Sequence, residues 1–264
     1  MSTVSDAIAF LEEFAPPMLA ESWDNVGLLV GRRDCVLKKV MTCLTLTPDV
    51  AQEAVTEGVQ LIVTHHPVLF RGTKTISDST SEGRMLLTLI EKKIAVYSPH
   101  TSFDSAQTGV NQQLATSFGL NDVLPIRPTE VGGSIGSGRL GTLTNAISLN
   151  EFLGVVRIAA NAAYVEYCGQ LNASVQQVAV ACGSAAEFME DAITLGCDTF
   201  VTGEARFHSA LAARDRGVNL ILLGHYSSER PAVESLAGMM ADAFAGTEVF
   251  ASRVETDPLA VCIP

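Results

Sequence analysis

Apolar and polar positions along this chain alternate between two rhythms. An opening stretch with helical spacing is closed by Pro16 and Pro17. After it, short β-branched runs alternate with amphipathic helical patterns, the way parallel α/β sheets are encoded. Val40 to Leu46 reads as a buried strand, and Thr47-Pro48-Asp49 as the capped start of a helix with proline in its first turn. Leu61-Ile62-Val63 is the next strand, and it runs directly into His65-His66-Pro67. Arg84 to Lys93 reads as a helix and Ile94 to Tyr97 as a strand, which again ends in a polar cluster containing His100 and Asp104.

Between Pro125 and Gly141 the text turns glycine-rich, which breaks periodicity and predicts a domain junction or loop. A second set follows with the same grammar. Helices are expected over Asn150–Ala163 and Ala185–Leu195, and strands near Val165–Cys168 and Val178–Cys182. A further strand, Thr199-Phe200-Val201, ends in T-G-E. Strand Leu220–Leu223 then precedes G-H-Y-S-S-E-R, a helix runs from Pro231 to Phe244, and Glu248–Arg253 closes as a strand.

The 264 residues are 47% hydrophobic and 17% charged, enough apolar material for one large core or two modest ones. A formal net charge of −12 would repel a phosphate backbone, and no basic patch offsets it, so no nucleic-acid partner is expected. The start of the chain is acidic where a secretory signal would be basic, and no stretch reaches the ~18 to 20 apolar residues that span a bilayer. A cytoplasmic protein without membrane association is expected. The six cysteines, Cys35, Cys43, Cys168, Cys182, Cys197 and Cys262, form no C-x-x-C pair and read as reduced core residues.

In open parallel sheets, ligands gather at the carboxyl ends of strands, where the chain leaves the ladder and side chains converge. All five histidines, His65, His66, His100, His208 and His225, lie at or within a turn or two of an expected strand end. Any one alone is more simply a loop histidine bonded to backbone, so the case rests on the set. A pair of divalent ions wants neutral imidazoles plus carboxylates able to bridge, and three histidines with two acids meet that need. His225 and Glu229 are four apart at a strand-to-helix junction, which brings both to one side of a helical turn. His65 and His66 face opposite sides of an extended chain, which suits two ions, or one ion and its outer shell. Ser102, Ser105, Ser227 or Ser228 beside a histidine would make a nucleophile and base, but no G-x-S-x-G elbow is present. The glycine stretch lacks the Lys and Ser/Thr of a phosphate-binding loop.

Five strings in order, E-S-W-D-N-V-G-L-L-V-G, T-H-H-P-V-L-F, S-P-H-T-S-F-D-S-A-Q-T-G-V-N, V-T-G-E-A-R-F-H and G-H-Y-S-S-E-R, span Glu21 to Arg230. Together they resemble the GTP cyclohydrolase I type 2 homologues, the YbgI-like family. The resemblance implies an α/β fold with two related α/β domains per subunit, built on mostly parallel mixed sheets, with the metal site at strand carboxyl ends between them. The first domain is expected over residues 1–125 plus about 220–264, and the second over about 126–219. The resemblance further implies a homohexamer, a toroid built as a trimer of dimers. It also implies two divalent metal ions per subunit (Zn, Fe, Mn, Co or Ni) held by His65, His66, Asp104, His225 and Glu229.

His100 matches a further histidine near the metals and is expected to be catalytic, protonating or orienting a bound water. Asp24, Asn25, Glu204 and His208 match family elements whose roles are caps or site walls. Tyr226 stands where many relatives have a second histidine, and the long middle insertion of some relatives is absent, which marks a short form. The activity implied is metal-dependent hydrolysis of a nucleotide-like substrate resembling GTP. The rival is a non-catalytic metal-handling protein or partner-binding scaffold with the same ligands.

Overall fold

The computed structural model describes residues 1–262; Ile263 and Pro264, at the end of the first expected domain, lie outside the described residues. In chain order the helices are α1 (Val4–Phe14), α2 (Pro48–Glu57), α3 (Ser81–Glu91), α4 (His100–Ser105), α5 (Val110–Ser117), α6 (Leu149–Ala159), α7 (Met189–Thr194), α8 (Phe207–Arg216) and α9 (His225–Ala243). The strands begin with β1 (Gly27–Val30), β2 (Lys39–Cys43), β3 (Leu61–Thr64), β4 (Ala95–Ser98), β5 (Asn121–Leu124), β6 (Arg127–Pro128) and β7 (Gly136–Ser137). They continue with β8 (Arg139–Ser148), β9 (Glu166–Cys168), β10 (Ser174–Ala181), β11 (Thr199–Thr202), β12 (Asn219–Leu222) and β13 (Glu248–Ala251). Among the described residues no helix is long and apolar enough to cross a membrane.

The chain forms two compact units, Met1–Phe103 with Ala232–Thr256, and Asp104–Pro231 with the residues from Asp257 on. The crossing comes earlier than the glycine-rich stretch suggests. β5 (Asn121–Leu124) already pairs with β8 in the second sheet, ahead of that stretch.

The first unit is built on a five-stranded sheet, β1-β4-β3-β2-β13, parallel except at β1. Its central strands β3 and β4 are buried along their whole length, as strands covered on both faces must be. Met41, Ile62 and Val96 pack with Val50, Ala54 and Leu89 of α2 and α3 in the core. Local chemistry sets the helix ends. Thr3 and Asp6 close a reciprocal capping box at α1. Thr47 caps α2 with Pro48 behind it, and Gly58 in the left-handed region (φ 68°) stops it, as the sequence predicts.

The second unit carries a six-stranded mixed sheet, β5-β8-β10-β11-β12-β9. Its parallel centre, β10-β11-β12, is flanked by antiparallel partners on both sides. Ala179, Phe200 and Leu220 pack with Phe188, Met189 and Ala192 beneath that centre. Arg139 is buried at 1% exposure at the start of β8 and is held entirely by neutral acceptors. Its guanidinium donates to the carbonyls of Gly136, Gly138, Ser105 and Ala106 and to Gln112 Oε1.

Two expectations shift. The helix expected from Pro231 begins six residues earlier, at His225, with Pro231 inside it. Gly224 (φ 84°) turns the chain out of β12, and the Ser228 amide bonds its carbonyl, so the first turn forms before the proline is reached. The helix expected over Ala185–Leu195 is a 3-10 turn, Ala186–Phe188, followed by α7.

Candidate metal centre

In the first unit, β3 and β4 are neighbours and parallel, so their carboxyl ends open on the same edge. His65 and His66 follow β3, and their amides continue the ladder onto the carbonyls of Cys43 (2.9 Å) and Leu44 (2.8 Å). His100 follows β4 across Pro99. The three imidazoles converge: ring centres are 5.2 Å apart for His65 and His66, 5.3 Å for His65 and His100, and 5.7 Å for His66 and His100. One nitrogen of each lies within 4.8 Å of the others, the arrangement a cation would need. His65 is buried at 2% exposure, and Ser98 Oγ fixes its backbone by donating to its carbonyl at 2.7 Å. Thr45 Oγ1 lies 2.8 Å from His66 Nδ1.

His100 has a backbone φ of 28°, left-handed territory that a non-glycine residue occupies only when surroundings impose it. Asp24 imposes it. One carboxylate oxygen lies 2.7 Å from His100 Nδ1, and the other accepts from the Thr101 amide (3.1 Å) and hydroxyl (2.5 Å). The Asp24 side chain is fully buried. Burial alone would raise its pKa, but the hydrogen bonds it accepts, first from His100 and then from Thr101, outweigh that and bring it to about 2. Asn25, next along, ties its loop to the Leu69 carbonyl at 2.6 Å. Trp23 and Phe70, both exposed, stand edge-on to His100 at 6.1 Å and 6.3 Å.

In the second unit the carboxyl ends of β10, β11 and β12 carry Cys182, Glu204 and His225. His225 opens α9, so Glu229 is one turn on, with Oε2 3.1 Å from His225 Nε2. Glu204 Oε1 lies 3.2 Å from Nδ1. The hydrogen bond to Glu229 acts first against burial, and with Glu204 it raises the imidazole pKa to about 9, a field that calls for positive charge. Gly183 (φ 63°) follows Cys182, and any Cβ there would strike Glu229 Oε1. Asp104, at the end of α4, accepts a hydrogen bond from Cys182 Sγ at 3.2 Å. Burial, then the Asp104 and Glu229 charges, raise the Cys182 thiol pKa.

His65, His66 and His100 are thus gathered in one unit, and Asp104 with Cys182, and His225 with Glu229 and Glu204, in the other. His208 is not among them: it is exposed on α8 against the Phe207 ring at 5.8 Å. Three of the four candidate serines donate elsewhere. Ser102 donates to the Pro99 carbonyl, Ser228 to the His225 carbonyl and Ser105 to Ser137 Oγ. Sequence reasoning missed Cys182, Asn111 and Thr45. Cys182 carried the signal the histidines carried, since it too stands at the end of a strand.

Imidazole nitrogens and carboxylate oxygens, most with a polar partner fixing the ring or the acid, are the donor chemistry of a divalent cation site. The groups present fit such a metal.

The sequence pattern of the Duf34/NIF3 (NGG1p interacting factor 3) family matches residues 2–258. A "GTP cyclohydrolase 1 type 2 homolog" from Clostridium perfringens is 33% identical over 256 residues, 97% of this chain and 98% of that protein. The protein named "GTP cyclohydrolase 1 type 2" from Helicobacter pylori is 31% identical over 231 residues, 87% of this chain and 88% of its own. The crystal structure of Staphylococcus aureus protein SA1388 superposes with a TM-score of 0.90 at 27% identity, covering 99% of each chain.

Proposed function

Because the chain belongs to the Duf34/NIF3 family, we propose that it is a metal-dependent hydrolase with two divalent ions per subunit and a nucleotide-like substrate. The ligands in this reading are His65, His66, Asp104, His225 and Glu229. The observation that carries it is the convergence of His65, His66 and His100 at adjacent strand ends, one of them held by a buried carboxylate. In this reading His100 stands beside the ligands, and its carboxylate-held ring supplies the group for proton transfer.

Bound divalent ions would supply an electrophile and bring the pKa of water towards ~7. The chain does the rest. Asp24, accepting at His100 Nδ1, favours the neutral tautomer whose proton sits on that nitrogen. His100 Nε2 is then the atom that accepts a proton from attacking water and returns it to the leaving nitrogen. Asp24 stabilises the imidazolium between the two transfers. Trp23 and Phe70 stand edge-on to His100, an aromatic rim suited to a planar heterocycle. The names of the relatives suggest GTP, whose imidazole ring opens by hydrolytic attack at carbon.

The homohexamer, a toroidal trimer of dimers, and a cytoplasmic location belong to the same proposal; light scattering tests the first and cell fractionation the second. The function is tested by metal content per subunit, from plasma mass spectrometry on protein purified without added metal, with GTP hydrolysis assayed on the same sample. About two ions with turnover that chelation abolishes supports the hydrolase. Two ions without turnover moves the reading to a metal-handling or partner-binding protein, and no metal overturns both.

A further inference from the structure

We propose that Cys182 is a positioning residue that sets the Asp104 carboxylate for metal binding through a thiol hydrogen bond, rather than a passive core cysteine. The inference rests on the reading of Asp104 as a ligand. Three residues from three separate elements close a ring in the second unit. The Asp104 backbone carbonyl accepts from Asn111 Nδ2 at 3.1 Å. Asn111 Oδ1 accepts from the Cys182 amide at 2.8 Å. Cys182 Sγ completes the ring by donating to Asp104 Oδ1 at 3.2 Å. Asn111 and Cys182 are 3% and 7% exposed, so the two partners that hold the half-buried Asp104 are themselves fixed in the protein interior.

The direction of the sulfur bond follows from chemistry: a carboxylate is acceptor only and a thiol has one proton to give. With Asn111 fixing its backbone and Cys182 fixing one oxygen, Asp104 has little rotational freedom left. A thiol is also a weak donor, so it orients the carboxylate while leaving most of its charge for a cation. The adjacent residue supports the same view. Gly183 has a positive φ and no side chain where one would meet Glu229 Oε1, and its amide donates to Ser228 Oγ at 3.0 Å. The turn after β10 thus bears on two proposed acidic ligands, Asp104 through Cys182 and Glu229 through Gly183. Outer-shell partners of this kind set metal affinity by roughly 10-fold to 100-fold.

The test is a cobalt(II) titration of the full metal-stripped chain, native and as Cys182→Ala and Cys182→Ser, followed by visible absorption with circular dichroism as a check on folding. Cys182→Ala is expected to bind cobalt on the order of 10-fold to 100-fold more weakly. Cys182→Ser, which keeps a donor, is expected to restore affinity close to native. A merely space-filling cysteine would not show that rescue. Native affinity in Cys182→Ala overturns the inference and leaves the metal reading standing. A thiolate-to-cobalt charge-transfer band in the native chain that both variants lose also overturns it, because Cys182 would then be a ligand. No cobalt uptake by the native chain overturns the metal reading and this inference with it.

Discussion

Arg139→Met removes the one guanidinium that ties the start of β8 to the end of α4, and its cost can be worked from the structure. The side chain donates to five neutral acceptors, at 2.5 Å to Gly136, 2.7 Å to Gly138, 3.3 Å to Ser105, 2.8 Å to Ala106 and 3.0 Å to Gln112. A hydrogen bond from a charged donor contributes about 1.5 kcal/mol at the low end, so the five contribute about 7.5 kcal/mol. Burial without a counter-ion opposes this: it lowers the arginine pKa from 12.5 to about 10, which corresponds to about 3 kcal/mol. The net loss on substitution is therefore about 4 kcal/mol, to which the acceptors left dry and unpaired only add. Urea unfolding followed by circular dichroism should show the unfolding free energy fall by that amount, as a lower midpoint at unchanged slope. Arg139→Lys keeps the charge but not the planar fork, and should fall between native and Met. A Met variant within about 1 kcal/mol of native would refute the reasoning, since it would mean that desolvation cancels the bonds.

Three further outcomes are expected. Asp24 has a folded pKa of about 2 against 3.8, so its roughly 2 kcal/mol of stabilisation is present above pH ~4 and lost as pH falls towards 2. Asp24→Asn should therefore be less stable at pH 6, and its urea midpoint should lose less than that of the native chain between pH 5 and pH 2. Gly183→Ala puts a Cβ at a φ of 63° and against Glu229 Oε1, so it should cost about 1 to 3 kcal/mol in thermal unfolding and weaken cobalt uptake; unchanged affinity would separate the turn from the acid. Trp23 is the single tryptophan and its ring centre lies 6.1 Å from that of His100, so cobalt(II) added to stripped protein should quench its emission. Full emission at saturating cobalt would place the ion away from the histidine trio.

The elements that bury a clear apolar period were legible from the residues. Helix α2 starts and stops where Thr47, Pro48 and Gly58 say it must, and β3 and β4 are two of the apolar runs that precede histidines. What was hidden follows from glycine and proline acting through tertiary context. Gly141 looks like part of a loop, yet it lies within β8, where a Cβ would stand 2.8 Å from the Asn121 carbonyl oxygen. There the missing side chain is what lets β5 approach. Pro231 looks like a helix start because its fixed φ suits one, but the hydrogen bond from Ser228 to Gly224 begins α9 earlier. That difference bears on the chemistry: it puts His225 and Glu229 on one helical turn, which their four-residue spacing only suggested.

The candidate site divides along the same line. Histidines at strand ends can be counted in a sequence, because the residue type carries the chemistry and the strand carries the position. Partners such as Asp24 for His100 and Cys182 for Asp104 lie 76 and 78 residues away, so only the folded sheet reveals the pairing. Asp24 could be noticed beside Trp23 and Asn25 but not assigned, since a capping aspartate and an aspartate that orients a catalytic histidine read alike. The fold separates the two roles. The same carboxylate caps α4 through the Thr101 amide and hydroxyl and holds His100 Nδ1, so one acid both strains the histidine backbone and fixes its ring. A cap alone would tolerate serine. The dual contact requires a second oxygen, and that requirement sets Asp24 apart from a plain cap.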